Sequence, residues 1–458
     1  MDRREFIGKT AQAAAFTALS ADRVAGANDR VRVALIGCGG RGRGVARGMR
    51  QAPNMEYAVA CDVYETNAAL ASKQLSDGKA SIQKDFRRVL EMKDVDAVHV
   101  ATPDHWHAPI AVLACEAGKD AYVEKPFAYS VREGRAIADA AKRNKRVVMA
   151  GTQHRSSPHI AEAARMVQNG DLGEIHMVRV WNSGNIAPRG LPELPDAEPP
   201  AGLDWDFYLG PAPKVPFNKR RFTGTYRQYY DYGGGYLTDY GNHRIDSVHQ
   251  IMNVTAPLTV SATGGRYCKA NAGDIPDILC VTYEYPGFVL DYAGCWLNYQ
   301  GMPGRSAGMR YYGMSGDYNR PHGMAFFGSK GALFVDRIGW EIFPEVEPMA
   351  LDRLFDMEAP SKEVKYRMES KMFQGEDATP VHAQNFIKSV RSRETPFADA
   401  EVGHRSTTAC LIGNIAFKTG KKLRWNADRE DFENEPEASR LLKRVARKPW
   451  NLIPAQSA

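Results

Sequence analysis

A lysine at the end of an apolar run is the first residue of this chain that suggests chemistry. The run AYV, residues 121–123, is followed directly by Glu124, Lys125 and Pro126. An amine and a carboxylate are poor partners for the apolar core into which a short strand packs. In a parallel sheet the carboxyl ends of the strands face the ligand crevice, so we expect Lys125 to point into a site.

An aspartate and a histidine spaced four residues apart form the second candidate. They are Asp239 and His243, in the segment GGGYLTDYGNHRIDSVHQIM that begins at Gly233. On an α-helix this spacing places both side chains on one face. A bland interpretation is equally compatible with the residues: an aspartate in the first turn of a helix and a histidine on its surface.

A glycine-rich turn supplies the third candidate. Gly37, Gly39 and Gly42 have the G-x-G-x-x-G spacing, between a predicted strand and a predicted helix. Such glycines let the backbone approach a pyrophosphate, which the helix N-terminus then binds. Asp62 follows the second predicted strand, where a carboxylate accepts hydrogen bonds from a ribose diol and repels a 2′-phosphate. We therefore expect a dinucleotide site that prefers NAD to NADP.

Polar residues at two strand ends are expected to line this dinucleotide site. The segment Thr102 to His107 follows one predicted strand, and Glu124 follows the next. His105 and His107 resemble a metal-binding pair, but the turn offers no third ligand at a recognisable spacing, so no metal is predicted. The residues predicted to bind the nucleotide are Gly37, Gly39, Gly40, Arg41, Gly42, Asp62, Thr102, Pro103, Asp104, His107, Glu124, Lys125 and Gln153.

The order of the predicted elements indicates an α/β protein of two domains. Short apolar runs alternate with helical patterns up to residue 151, which predicts a doubly wound parallel sheet in residues 28–151. Alternating segments joined by turn signals follow, and they predict an open, largely antiparallel sheet in a second α/β domain, residues 152–425. A long aromatic insertion spans about 184–230. A charged tail, 426–458, is expected after the last predicted helix.

The first 27 residues have the features of a twin-arginine export signal. Arg3 and Arg4 precede Phe6 and a stretch of small residues, and an A-x-A site ends at residue 27. The alternative is an ordinary N-terminal helix with two chance arginines. We expect cleavage of residues 1–27 and a periplasmic location.

Composition excludes several classes of protein. The formal net charge is +6 over 458 residues, too weak and dispersed for a nucleic-acid-binding surface. No segment is long and apolar enough for a membrane span. The seven cysteines show no CxxC and no disulfide framework.

The chain resembles the Gfo/Idh/MocA oxidoreductases, including exported members related to glucose-fructose oxidoreductase. Four motifs carry the resemblance, in this order and spacing: the glycine-rich turn, Asp62, the run Glu124-Lys125-Pro126, and the segment that holds Asp239 and His243. The resemblance covers residues 31–425. It implies a Rossmann domain and a second domain whose open sheet forms a homodimer or homotetramer. It assigns Lys125 to the nicotinamide ribose and the substrate, with a cis bond before Pro126, and it makes Asp239 and His243 the acid/base pair.

These roles fit the oxidation of a secondary alcohol. A histidine has a suitable pKa to accept the hydroxyl proton, and an aspartate one helical turn away can hold its tautomer. Lys125, partly desolvated, is expected to have a lowered pKa and to act as a proton donor or an electrostatic clamp. The expected substrate is a sugar, a glycoside or a cyclitol.

Two alternatives stay open. Some relatives use NAD catalytically to oxidise a glycoside, eliminate the leaving group and reduce the product, although those glycosidases carry a different pattern in place of Asp-x-x-x-His. A non-catalytic sugar-binding protein is the other alternative, disfavoured because Lys125 and His243 are both present. Because NAD is scarce outside the cytoplasm, an exported enzyme of this kind is expected to retain its nucleotide tightly.

Overall fold

The computed structural model describes residues 30–185, 191–268, 272–298, 301–303, 319–337, 339–347 and 365–453. The predicted export signal, residues 1–27, lies outside the described residues, and the signal stays a prediction.

The N-terminal part folds around a parallel sheet, as predicted, and the sheet has six strands within the described residues. The strand order is β3-β2-β1-β4-β5-β6. From β1 the chain first adds strands on one side of the sheet and then, from β4, on the other side. A doubly wound sheet opens its ligand crevice at this switch point between β1 and β4. The strands are β1 Val31–Ile36, β2 Met55–Cys61, β3 Ser81–Gln83, β4 Ala97–Val100, β5 Asp120–Val123 and β6 Val148–Ala150. The connecting helices are α1 Gly40–Met49, α2 Glu65–Ser76, α3 Phe86–Glu91, α4 His107–Glu116 and α5 Val131–Arg143.

The second part contains a mixed, largely antiparallel sheet, also as predicted, with eleven strands within the described residues. Only β7 and β10 run parallel within the described part of this sheet. The strands of this part are β7 Ile175–Asn185, β8 Thr259–Gly265, β9 Ile278–Tyr285, β10 Phe288–Cys295, β11 Leu297–Asn298, β12 Met302–Pro303, β13 Asn319–Arg320, β14 His322–Gly328, β15 Gly331–Asp336, β16 Gly339–Pro344, β17 Lys371–Gln374, β18 Leu423–Asn426 and β19 Asp431–Phe432. Among them, β12 and β13 form a separate ribbon.

Helices cover one face of the second sheet and also connect the two parts. The helices are α6 Pro158–Gln168, α7 Trp205–Leu209, α8 Asn242–Met252, α9 Thr379–Ser392, α10 Ala400–Thr419 and α11 Pro436–Arg440. Alternate residues of β9 and β10 are buried, as expected for a sheet with one covered face. Phe386 and Ile387 of α9 join the apolar core of the first sheet, so the two parts share a core segment.

Residues 426–453, expected as a charged tail, pack against the rest of the protein. Trp450 packs against Phe207 with ring centroids 4.9 Å apart, and Leu442 is buried in the core of the second sheet. Arg444 donates to Glu133 Oε1 at 2.6 Å. Although most side chains of this segment are polar or charged, a few apolar residues are buried and attach the segment to the rest of the protein.

No helix in the described ranges is long and apolar enough to span a membrane. All seven cysteines are free, and Cys38 and Cys61 are buried as predicted.

Candidate active site

The glycine-rich turn leaves open space where a phosphate group fits. Gly37 has φ +90°, and a Cβ there would lie 2.6 Å from the backbone of Ala101, so this position requires glycine. A Cβ on Gly42 would lie 2.3 Å from the carbonyl oxygen of Gly37. A Cβ on Gly39 or Gly40, at the N-terminus of α1, would meet no atom within 4 Å, so there is open space beside both residues. A nucleotide pyrophosphate is the ligand that such a turn accommodates.

Asp62 lies just beyond β2 on the wall of the same crevice. Its carboxylate accepts hydrogen bonds from the backbone N–H of Cys38 at 2.7 Å and of Tyr64 at 2.8 Å. Burial raises the pKa of Asp62, while these N–H groups act in the opposite direction. The contacts fix the carboxylate where the adenosine ribose of a dinucleotide is expected.

A cavity of about 440 Å³ extends from this turn to Lys125. Thr102 and Pro103 line it, and the buried hydroxyl of Thr102 has no hydrogen-bond partner in the structure, which fits a ligand contact. The glycine cradle, Asp62 and this hydroxyl together fit a nicotinamide dinucleotide.

The aromatic insertion, defined here as the described residues 191–230, forms the outer wall of the cavity. Phe207, Tyr208, Phe222, Tyr226 and Arg227 line it. Most of these rings belong to one aromatic cluster, which packs against the residues that follow β2. The long insertion therefore encloses the predicted nucleotide site.

Lys125 lies at the inner end of the cavity, and its peptide bond to Pro126 is cis, as the family resemblance implied. Its amine donates to the backbone carbonyl oxygen of Asp239 at 3.0 Å and also pairs with the Asp239 carboxylate. Burial lowers the pKa of Lys125, and Asp239 offsets only part of that effect.

Asp239 is held between two cations. The second is Arg227, whose Nε lies 3.0 Å from Asp239 Oδ2. Burial alone would raise the pKa of Asp239, but the charges of Arg227 and Lys125 lower it to about 2. Asp239 is therefore ionised at neutral pH and orients the amine of Lys125.

His243 is buried and neutral next to this ion pair. Its ring stacks on His154, with centroids 4.9 Å apart and planes inclined by 24°. Its Nδ1 is buried without a hydrogen-bond partner in the structure. Burial, together with the charge of Lys125, lowers the pKa of His243 well below its usual value. His243 itself is not among the residues that line the cavity, and it lies behind the ion pair.

The expected contact in which Asp239 holds the His243 tautomer is wrong. Leu237–Gly241 form a π-helical turn, and the α-helix begins only at Asn242. The wider turn breaks the four-residue repeat that would align the two side chains. Lys125 and Arg227 also occupy the carboxylate that the imidazole would need.

Three predicted nucleotide ligands contact one another. Arg41 Nε donates to Glu124 Oε1 at 2.9 Å, and Arg41 Nη2 donates to Gln153 Oε1 at 3.2 Å. Burial would raise the pKa of Glu124, but the charge of Arg41 lowers it. Arg41 and Glu124 also line the cavity. The network fixes the backbone around Lys125, and the assignment of these residues to the nucleotide stays a prediction.

The segment from Thr102 to His107 divides into two roles. Both ring nitrogens of His107 are close to carbonyl oxygens, Pro126 O at 2.7 Å and Thr102 O at 2.9 Å, so this residue joins the two strand ends. Asp104 Oδ1 accepts from the Tyr226 hydroxyl at 2.8 Å.

Within the described residues, no group of three or more His, Cys, Asp or Glu side chains could hold a metal ion.

Sequence reasoning gave no role to Arg227, Tyr226 or His154. Arg227 and Tyr226 lie in the insertion, far along the chain from the strands they contact, and no local pattern signals such a contact. His154 follows β6, the position where a strand end faces the crevice, and that position was the available signal.

The fold and the site define a class of protein, a dinucleotide-dependent oxidoreductase with a Rossmann domain and a second α/β domain. A family model described as an oxidoreductase family with an NAD-binding Rossmann fold matches residues 31–152. A second model, the C-terminal alpha/beta domain of that oxidoreductase family, matches residues 160–285 and 364–452. The chain belongs to the Gfo/Idh/MocA oxidoreductase family.

The similar proteins include enzymes named for carbohydrate substrates. Levoglucosan dehydrogenase of Pseudarthrobacter phenanthrenivorans is 33% identical over 193 residues, 42% of this chain and 42% of that protein. A glycosyl hydrolase family 109 protein of Shewanella pealeana is 31% identical over 157 residues, 32% of this chain and 34% of that protein. The matches thus span less than half the length of these curated relatives.

A solved structure shows the same fold over most of its length. It is a levoglucosan dehydrogenase in complex with NADH and levoglucosan, with a TM-score of 0.62 and 18% identity. The similarity covers 86% of this chain and 99% of that one.

Proposed function

We propose that the protein is an NAD-dependent enzyme that oxidises or reduces a secondary hydroxyl or keto group of a sugar, glycoside or cyclitol. One observation carries this proposal: the amine of Lys125 is held by Asp239 at the inner end of a nucleotide-sized cavity. The charge of Lys125 acts on His243, whose buried Nδ1 has no hydrogen-bond partner within the described residues. The levoglucosan dehydrogenase relative supports a carbohydrate substrate.

The residues divide the work of alcohol oxidation. Bound NAD supplies the hydride acceptor. His243 accepts the hydroxyl proton, because its lowered pKa keeps it neutral at neutral pH. Lys125 stabilises the negative charge that develops on the oxygen, and the ionised Asp239 keeps the amine in place. Arg227 keeps Asp239 ionised and thereby prevents it from competing for the proton.

A panel of sugars, glycosides and cyclitols tests this function. The purified protein is incubated with NAD and each compound, and the absorbance of reduced nicotinamide is followed together with released aglycone. The proposal expects reduction of NAD by at least one compound and no aglycone release. A panel that yields no reduced nicotinamide at all contradicts it.

NAD-recycling glycoside cleavage is the second candidate function. The glycosyl hydrolase family 109 relative favours it. Elimination requires the same initial oxidation, so Lys125 would serve both reactions. Aglycone release without accumulation of reduced nicotinamide would select this candidate.

The nucleotide is proposed to be NAD rather than NADP and to be retained tightly. Asp62 supports the selectivity, because a second negative charge beside a buried carboxylate is repelled. The enclosing wall of the aromatic insertion supports slow dissociation.

Export to the periplasm and assembly through the second sheet complete the proposal. Export rests on residues 1–27 alone. Assembly as a homodimer or homotetramer is supported by exposed apolar side chains on the strands of this sheet, Val289, Met372 and Phe373. Light scattering of the purified protein tests the assembly, and a monomer would contradict it.

A further inference from the structure

Three aromatic side chains lie outside the Lys125–Asp239 pair, and the mechanism uses none of them. Tyr236 precedes the π-helical turn, Tyr240 is part of it, and Trp296 follows β10. The rings of Tyr236 and Trp296 stack with centroids 3.5 Å apart and planes inclined by 21°. The ring of Tyr240 lies 5.3 Å from that of Trp296. These three residues are the aromatic platform.

The platform leads from the catalytic amine to the protein surface. Lys125 Nζ is 5.9 Å from the ring centroid of Tyr240. The Lys125 side chain is only 10% exposed, whereas Tyr240 is 41% exposed. Next to the buried amine, the exposed ring of Tyr240 offers an apolar surface to a ligand that reaches Lys125.

Hydrogen bonds fix the platform in position. The side-chain amide of Gln228 donates to the hydroxyl of Tyr236, and Arg244 Nη1 donates to the backbone carbonyl oxygen of Tyr240 at 3.2 Å. The backbone N–H of Trp296 donates to the carbonyl oxygen of Asp277 at 3.0 Å. The bond from Gln228 and the stack on Trp296 position the ring of Tyr236, while the other two bonds fix the backbone that carries Tyr240 and Trp296. A surface positioned before a ligand arrives loses less entropy on binding.

We propose that the aromatic platform binds the second ring of a glycoside whose first ring is oxidised at Lys125. This inference rests on the proposed function, because Lys125 defines the place of the first ring. A pyranose ring has an apolar C–H face that packs against an aromatic ring, while its hydroxyls point outward to water. The substrate class is accordingly a disaccharide or an aryl glycoside rather than a free monosaccharide.

Kinetics with matched substrates test the platform. Two series of probes are used, and within each series the first ring is the same. The first series is methyl glucoside, phenyl glucoside and cellobiose, and the second is methyl galactoside, phenyl galactoside and lactose. For the two-ring probes, Tyr240→Ala is expected to raise KM on the order of ten-fold with kcat nearly unchanged, and the KM of the methyl glycosides should stay constant. Tyr240→Phe should behave as the wild type, and Tyr366→Ala is the matched control on another exposed tyrosine.

Binding separates failure of this inference from failure of the proposed function. If the wild type turns over none of the probes, calorimetric titration of the NAD-loaded protein compares the one-ring and two-ring compounds directly. Tighter binding of the two-ring compounds that Tyr240→Ala abolishes would support the platform without the redox reaction. Equal binding of both classes would overturn it. A change of oligomeric state in Tyr240→Ala would also overturn it, by assigning the rings to a contact between copies.

Discussion

At the scale of single residues, the site is organised by opposing effects on Lys125. Burial lowers the pKa of its amine, while the carboxylate of Asp239 raises it, and the net direction is downward. Arg227 competes with Lys125 for that carboxylate and also repels the lysine charge. Burial and the charge of Lys125 lower the pKa of His243, which keeps this histidine neutral. A fixed cation next to a neutral imidazole suits proton removal from a hydroxyl that is becoming anionic.

Removal of the side chain of Lys125 or of His243 should slow the chemical step, if the proposed roles are right. We expect Lys125→Ala and His243→Ala each to lower kcat on the order of 10² or more, because each removes a proton-transfer or charge-stabilising group. NAD binding should survive His243→Ala. His176→Ala, at an exposed histidine, is the control for steady-state kinetics. Near-normal turnover in either site variant would contradict the assignment.

The pH profile should reflect the lowered pKa values. Because the pKa of His243 is lowered, the base stays neutral into the acid range, and oxidation should persist below the usual pKa of histidine. Because the pKa of Lys125 is lowered, the amine loses its proton at a lower pH than an ordinary lysine does. As the pH rises, activity should therefore fall before the usual lysine pKa is reached. Arg227→Gln removes a cation that lowers the Lys125 pKa, so the alkaline limb should move to higher pH.

The control for that shift is Arg220→Gln, on the same insertion, where the guanidinium Nε donates to the carbonyl oxygen of Pro192 instead. An alkaline limb that stays in place in Arg227→Gln would show that Arg227 does not act on Lys125.

Asp62 should set the choice between NAD and NADP. Asp62→Ser removes the charge that repels a 2′-phosphate, and we expect the preference for NAD to narrow by about ten-fold or more in kcat/KM. The ratio is measured with both nucleotides on the same substrate. Preference for NADP in the unaltered protein would refute the role of Asp62.

At the scale of elements, the parallel sheet and its glycine turn were predictable, whereas the cover over them was not. The motif from Gly37 to Asp62 is read within one βαβ unit, because local periodicity and turn residues specify it. Arg227 and Tyr226 reach the site through packing between distant segments, which a single sequence does not encode as a pattern. The π-helical turn at Asp239 is likewise invisible to a four-residue repeat, and Trp450 is a single apolar anchor in a charged segment.

The aromatic insertion should control how fast the nucleotide leaves. Thr223, on the cavity wall, has φ +54°, an unfavourable conformation for a β-branched residue that surrounding packing must hold. Tyr226→Phe removes the bond to Asp104, leaving a buried carboxylate underpaired at a cost of about 1–3 kcal/mol. We expect dissociation of bound NAD, followed by fluorescence, to accelerate on the order of ten-fold.

Tyr229→Phe is the matched control, since the Tyr229 hydroxyl makes no hydrogen bond within the described residues. Equal dissociation rates in the two variants and the wild type would remove the insertion from nucleotide retention.

At the scale of the whole molecule, the two sheets bring one function together. The first sheet supplies the glycine turn, Asp62 and Lys125, and the second part supplies Asp239, His243 and the insertion. Helix α9 and the segment around Trp450 belong to the apolar core of the first sheet, so a shared core fixes the two parts relative to each other. The Lys125–Asp239 pair thus exists only when both parts are folded against each other.

The most direct test of this account is a single-turnover experiment, in which a sugar reduces the NAD bound to the purified protein. The protein, saturated with NAD and then freed of excess nucleotide, is mixed with each member of the glycoside panel, and the absorbance of reduced nicotinamide is recorded. The account predicts, for at least one glycoside, close to one equivalent of reduced nicotinamide per chain in the wild type. In Lys125→Ala, the rate at which reduced nicotinamide forms should be lower by on the order of 10²-fold or more. Absence of reduced nicotinamide with every glycoside, in a protein that demonstrably holds NAD, would contradict the account.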